Sequence, residues 1–326
     1  MRLTSSNDKS DTRRVSLLSL LIQIGGWLGL AAGIAGVALH YSGTRSLLLI
    51  VGASLTPFLV VAAFLGACGF AVVRKWRMAA ITIGVTVGAA ATQIPLYLQS
   101  NVGSGERVTV MQANVLFDGA SARTIIDLVR EHDVDILTVN ELTAKTATAL
   151  EAEGLGDLLR YSFVRPENFA DGTGIYSRFP LSAEVVQPGF IMNNLSATAH
   201  IPDLGDVAVF ALHPVPPPYD PNDWNAEMGR VHDLLARTTG PAIVGADFNA
   251  TYDHRQFRAL LGKFEDATDQ AGAGHLLTYP TDKWGGFPII GVDHILVANG
   301  TATEVQTLDL PGSDHRALLA TVVIDR

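Results

Sequence analysis

The chain has a single cysteine, Cys68, set in an apolar run, so no intrachain disulfide can hold any part of it together. Acidic residues are nearly missing from the first 98 positions, which hold only Asp8 and Asp11 against eight Lys/Arg. The reverse holds beyond them. Of the 23 Lys/Arg and 32 Asp/Glu in the whole chain, 15 and 30 fall in residues 99–326. That surplus of negative charge repels polyanions and argues against general nucleic-acid binding. Charge is also absent from the interior of three apolar runs, at about 15–39, 47–73 and 78–98. No convincing small-residue cleavage site follows the first, which argues against a removed export signal despite Arg13 and Arg14 before it.

Each apolar run is long enough to cross about 30 Å of hydrocarbon. An apolar share of 48% and a mean hydropathy of +0.26 agree with membrane segments in a 326-residue chain. Gly25, Gly26, Gly29, Gly33 and Gly36 permit close helix approach in the first run. Pro57 and Pro95 are expected to kink the second and to kink or end the third. Lys9, Arg13 and Arg14 precede the first run, and Arg74, Lys75 and Arg77 link the second to the third. The positive-inside rule puts both clusters in the cytoplasm, and an odd number of spans leaves the rest outside. The expectation is a multi-pass membrane anchor over residues 1–98, a linker over 99–106 and an extracytoplasmic domain over 107–326.

In that domain, short apolar runs keep ending in polar residues. Val244-Gly-Ala-Asp-Phe-Asn-Ala250 breaks into Asp247 and Asn249, which share one face of a strand because side chains alternate. Arg107–Asn114 alternates and ends in Asn114; Val134–Asn140 is followed by Glu141; Asp206–Leu212 is followed by His213. Gly291-Val-Asp-His294 brings Asp293, and Pro311-Gly-Ser-Asp-His-Arg316 brings Asp314 and His315. Helical spacing marks Ala122–His132, Thr143–Leu155 and Asn225–Arg237, the last just after Trp224. Strands with helices interleaved give a mixed α/β domain.

Taken together and in this order, these motifs resemble the endonuclease/exonuclease/phosphatase superfamily of metal-dependent phosphoesterases, and Asp171-Gly-Thr-Gly-Ile-Tyr-Ser-Arg-Phe-Pro180 resembles a further strand of it. The resemblance covers nearly all of 107–326. It implies an α/β four-layer, two-sheet sandwich behind the three-helix membrane region. It implies that Glu141, Asn114 and Asp314 hold Mg²⁺ or Mn²⁺, and that Asp247 orients or deprotonates the attacking water. Asn249 would donate to the phosphoryl oxygens, His213 and His315 would bracket the phosphorus, and Asp293 would hold the tautomer of His315. Arg178 and Trp224 are candidates for substrate contact, whereas His294 is expected to serve packing. Asn140, where many relatives have Gln, and Ala246, where Gly is common, depart from the pattern.

The apolar runs, the Pro-rich stretch before Trp224 and the Asp-His-Arg segment resemble VanJ-type teicoplanin-resistance membrane proteins. That implies a phosphorylated, lipid-linked substrate of the cell envelope and no stable nucleic-acid partner. An exported nuclease and a catalytically dead envelope binder are the alternatives. Clustered Lys/Arg with aromatic platforms would favour the nuclease, and loss of Glu141, Asp247 or His315 would favour the binder.

Overall fold

The structure, a computed structural model, describes residues 7–101 and 103–325, with side chains from residue 16 onward. Lys9, Arg13 and Arg14, on which half of the expected orientation rests, have side chains outside the described residues. The chain divides into two compact units: Met1–Ser42 with Val51–Ile94, and Gly43–Ile50 with Pro95–Arg326.

The first unit is helical. It consists of α1 (Asn7–Tyr41), the second half of α2 (Leu47–Ser54), α3 (Thr56–Val72) and α4 (Trp76–Ala91). Glycine decides how α1 and α3 meet: a Cβ at Gly29 would lie 2.5 Å from the Ala62 carbonyl oxygen and 2.7 Å from the Gly66 Cα. The side chains of Gly29 and Gly66 are therefore missing where the two backbones touch. Of the three expected spans the structure shows one, or two. Among the described residues only α1 is by itself long and apolar enough to cross a membrane, over Ser16–Tyr41, and 22% of its most apolar stretch is buried. The helices α2 and α3 are bent by 69° and make a second span only if taken as one. Pro57 stands in the first turn of α3, where a missing N–H costs nothing, so it starts a new helix. The helix α4 has 16 residues, about 24 Å of rise, and gives way to a 3₁₀ turn at Ile94–Tyr97 that contains Pro95.

The second unit carries twelve described strands. They are β1 (Gly105–Phe117), β2 (Ile136–Leu142), β3 (Tyr161–Arg165), β4 (Thr173–Ser177), β5 (Leu181–Val186) and β6 (Leu195–Ile201), followed by β7 (Gly205–Leu212), β8 (Ala242–Asp247), β9 (Phe264–Asp266), β10 (Asp293–Ala298), β11 (Gly300–Leu308) and β12 (Ala317–Asp325). They form two six-stranded sheets, ordered β11-β12-β1-β2-β4-β3 and β5-β6-β7-β8-β10-β9. The helices are α5 (Ala122–Glu131), α6 (Ala144–Ala152), α7 (Leu155–Leu158), α8 (Pro221–Arg237), α9 (Arg255–Arg258) and α10 (Ala267–Ala271).

Strand alternation sorts the core into layers. Val108, Val110, Ile136, Ile243 and Ile295 face the other sheet in one cluster. Their neighbours point outward: Met111 and Leu137 meet α5, and Val244 and Leu296 meet Trp224 and Met228 of α8. The result is a two-sheet α/β sandwich with helices on its outer faces. The strands β3, β5 and β9, which periodicity does not mark, are all edge strands. Edges bury little, so β5 shows no apolar alternation to read.

In each sheet one pair is parallel, β1 with β2 and β7 with β8, while β10 and β12 run against them. Ends of parallel strands and starts of antiparallel ones therefore meet at one edge of the sandwich. Asn114, Glu141, His213 and Asp247 arrive there from the first kind, and Asp293 and His315 from the second.

Candidate active site

Asp247 is at the centre. Its Oδ1 accepts from the Asn249 N–H (2.9 Å) and its Oδ2 from the Asn114 amide (3.1 Å). The same Oδ2 lies 3.8 Å from His213 Nε2 and 3.7 Å from His315 Nε2, so two imidazoles flank one carboxylate oxygen. Neither distance is a hydrogen bond. Each ring faces Asp247 without bonding to it. Asp293 pairs with Asp247 across the β8–β10 ladder and accepts from His315 Nδ1 at 2.8 Å, which turns Nε2 toward the site. Burial opposes charge on His315, but the Asp293 and Asp247 carboxylates outweigh it and push this imidazole up to about 10. The ring of Tyr279 lies 4.7 Å from it, centroid to centroid.

On the other sheet, Glu141 has φ of 58°, a left-handed conformation uncommon outside glycine that turns its side chain out of the strand. Its Oε1 accepts from Asn114 (3.0 Å), while Oε2 is buried with no hydrogen-bond partner among the described residues. Burial pushes this carboxyl up, against the pull of His213 and the Asn114 hydrogen bond. Asp314 is half-buried and shifted the same way by burial, with its Oδ1 3.9 Å from His315 Nε2.

A buried, partnerless carboxylate oxygen is what a hard cation needs, so the Glu141 side fits Mg²⁺ or Mn²⁺. The N–H groups of Asn114 bridge Glu141 and Asp247, and its Oδ1 accepts from the Leu116 N–H, which leaves that oxygen one lone pair. Asn114 ties the two carboxylates together. Asp247, Asp293 and His315 form a second group that could hold a metal ion, with one ligand atom from each within 4.8 Å of the others. Its imidazole makes it a set for a transition metal rather than for Mg²⁺.

Two expected substrate contacts are corrected. Arg178 follows β4, whose Ser177 pairs with Ile136 at the start of β2, five residues before Glu141. It lies at the far end of the sheet, paired with Asp133 (2.5 Å) and Asp135 (3.2 Å). Trp224 is fully buried in α8 and donates its indole N–H to the Phe248 carbonyl (3.1 Å). It supports the Asp247–Asn249 turn from behind. His294 packs as expected, bonded to Asp266 (2.6 Å) and to the Ala250 carbonyl (2.9 Å).

Several supporting residues carry no sequence signal for their role. Asn140 accepts from the Asp247 N–H (3.0 Å) and from Gln112 (2.6 Å), which links the two sheets directly beneath the site. Asn194 holds His213 through both its backbone N–H and its carbonyl (2.8 and 3.3 Å). Ser313 accepts from the His315 N–H and donates to the Asn114 carbonyl (3.0 and 2.7 Å). Asn249, with φ of 51°, spends its amide on the Pro214 carbonyl (3.1 Å).

The sequence model of the Endonuclease/Exonuclease/phosphatase family matches residues 111–315, so the chain belongs to that family. It is a phosphoesterase of that family. Among solved structures it is similar to TDP2 of D. rerio complexed with a single-strand DNA product, at 16% identity and a TM-score of 0.55, over 67% of this chain and 99% of the other. It is also similar to the 3′ phosphatase NExo of Neisseria bound to a product DNA hairpin, at 18% identity and 0.51, over 65% and 98%. An endonuclease/exonuclease/phosphatase family protein of Bacteroides thetaiotaomicron matches at 16% and 0.50, over 69% and 100%. At such identities these structures show the fold alone. No curated protein matches.

Proposed function

We propose that the chain is a membrane-tethered, Mg²⁺- or Mn²⁺-dependent phosphoesterase that works outside the cytoplasmic membrane on a lipid-linked phosphate or pyrophosphate of the cell envelope. The observation that carries the chemistry is the Asp247 carboxylate flanked by two imidazoles, with the partnerless oxygen of Glu141 beyond Asn114. Asp247 orients the attacking water and draws its proton. His315, charged at neutral pH, and His213 face the phosphoryl oxygens and stabilise the charge that grows on them, and one of them supplies a proton to the leaving oxygen. A cation held by Glu141 and Asp314 would neutralise a phosphoryl oxygen and the leaving group.

Support for the tether is the apolar surface of the helical unit, where Leu18, Leu28, Leu65 and Ile81 are all more than half exposed. Such surface calls for a hydrocarbon environment. Arg74 and Lys75 between α3 and α4, with Arg77 in the first turn of α4, favour a cytoplasmic turn. The acidic catalytic unit and the exposed Tyr219, Trp284 and Phe287 favour an amphiphilic substrate over a polyanion. A nuclease is the second reading, favoured by the DNA in two of the similar structures. A part in glycopeptide (teicoplanin-type) resistance would follow from hydrolysis of a cell-wall precursor.

The test is a phosphate-release screen of the full chain in nanodiscs with Mg²⁺ or Mn²⁺, covering lipid phosphates, sugar phosphates and DNA. Turnover confined to lipid phosphates and abolished by chelation is expected. Turnover of DNA alone would replace this reading with the nuclease, and turnover unchanged in Asp247→Asn would remove the mechanism.

A further inference from the structure

The segment Gly43–Ile50, which follows α1 and begins α2, belongs to the compact unit that carries the site. Ile50 is 2% exposed, in the cluster that also holds Trp224, Phe248, Phe257 and Leu296. The Gln256 amide donates to the Thr44 carbonyl (3.3 Å), and His254 Nε2 bonds to the Ile50 carbonyl (3.0 Å). At its other nitrogen, Nδ1, His254 meets the Thr251 N–H at 2.9 Å. A backbone N–H can only donate, so Nδ1 is the acceptor and the proton sits on Nε2, where the Ile50 carbonyl receives it.

Thr251 closes the turn that begins at Asp247. The rest of that turn is held from within the domain: the Phe248 carbonyl by Trp224, the Ala250 carbonyl by His294, and Asn249 to the Pro214 carbonyl. The Thr251 bond alone depends on a residue far away in sequence, on α2. Without the Ile50 carbonyl, the buried Nε2–H has no acceptor. If the proton moved to Nδ1 instead, it would turn to the Thr251 hydroxyl at 3.2 Å and leave the Thr251 N–H without its acceptor. Either way the end of the turn loosens, and the turn carries Asp247 and Asn249.

We propose that His254 is a positioning residue which, seated on the Ile50 carbonyl, makes residues 43–50 a working part of the catalytic unit by holding the Asp247–Thr251 turn in its competent shape. This rests on the phosphoesterase reading for its kinetic consequence, though not for its structural one. Burial drives His254 down to about 4, so the neutral imidazole the arrangement requires is present throughout the ordinary pH range.

The experiment uses the full chain in nanodiscs with Mn²⁺, following hydrolysis of bis(p-nitrophenyl) phosphate and amide exchange across Phe248–Thr251. His254→Phe keeps a ring against Trp224 but makes neither hydrogen bond. His254→Gln keeps a donor and an acceptor. His254→Leu removes both hydrogen bonds with a smaller apolar side chain, which serves if His254→Phe does not fold. His254→Phe is expected to lower kcat per bound Mn²⁺ on the order of tenfold to a hundredfold with KM little changed, because the displaced groups act on the transition state. Exchange across the turn should rise, and His254→Gln should recover most of both. A folded His254→Phe or His254→Leu protein with native kcat per bound Mn²⁺, or with native protection of the turn, overturns the proposal. Absence of turnover in the unaltered chain would instead remove the phosphoesterase reading, and the exchange result would then decide this proposal by itself.

Discussion

Two histidine–aspartate pairs lie on neighbouring positions of β10 and invite comparison. His315 bonds to Asp293 at 2.8 Å and His294 bonds to Asp266 at 2.6 Å, each through Nδ1. Both imidazoles are buried, and burial disfavours charge on each, yet the paired carboxylates raise both. They differ at the second nitrogen. That of His294 is bonded to the Ala250 carbonyl, whereas that of His315 stands 3.7 Å from Asp247 in the cleft. A carboxylate behind an imidazole fixes its direction; chemistry follows only where the other nitrogen is left to face a substrate.

The largest effect expected from this difference is kinetic. Asp247→Asn and His315→Ala should each lower kcat on the order of 10²- to 10⁴-fold in a protein whose unfolding curve is near native. If His294→Asn lost as much per folded molecule, the two pairs would not differ in the way described. Its expected cost is stability instead, about 1–3 kcal/mol by denaturant titration, since it would leave buried partners unsatisfied.

Acid sharpens the comparison through another buried histidine. His254 has a folded pKa of about 4 against 6.5 unfolded, so the unfolded chain binds more protons between those values. The stability it lends is complete above pH 6.5 and is lost as pH falls toward 4, by about 3 kcal/mol. His254→Phe should flatten that part of the pH–stability curve, and an unchanged slope would show that the ring is not held neutral. The smallest effect belongs to Arg178→Ala. Its partners Asp133 and Asp135 lie away from the cleft, so kcat should not move and stability should fall by less than about 1 kcal/mol.

The strand ends were readable because a polar residue after an apolar run is costly to bury and tends to lie where something uses it. Asp247, His213 and Glu141 stand out on that ground, and the structure brings them together. The Pro-rich stretch before Trp224 hides the helix that buries it. Asp220 caps α8 by accepting from the Asn222 and Asp223 N–H groups, and Pro221 opens it, so the helix starts earlier than its apolar spacing alone suggests. Trp224, Met228, Val231 and Leu235 then fall on one buried face. Asn140, Asn194 and Ser313 could not be ranked in advance, because their value comes from partners that only the fold brings near. The bend between α2 and α3 has a visible cause in Pro57, but its angle depends on packing.

The division of the chain also constrains how it is threaded. Residues 43–50 and everything from Pro95 onward belong to one folded body, and a folded body stands on one side of a bilayer. If the helical unit lies in a bilayer, as proposed, Val51–Ile94 has to return to the side it left and so crosses an even number of times. A count of two would use the bent pair on the way in and α4 on the way back; a count of zero would leave α1 as the sole crossing. On that proposal parity, rather than the length of any single helix, would tie the side on which Thr44 lies to the side on which Asp247 works.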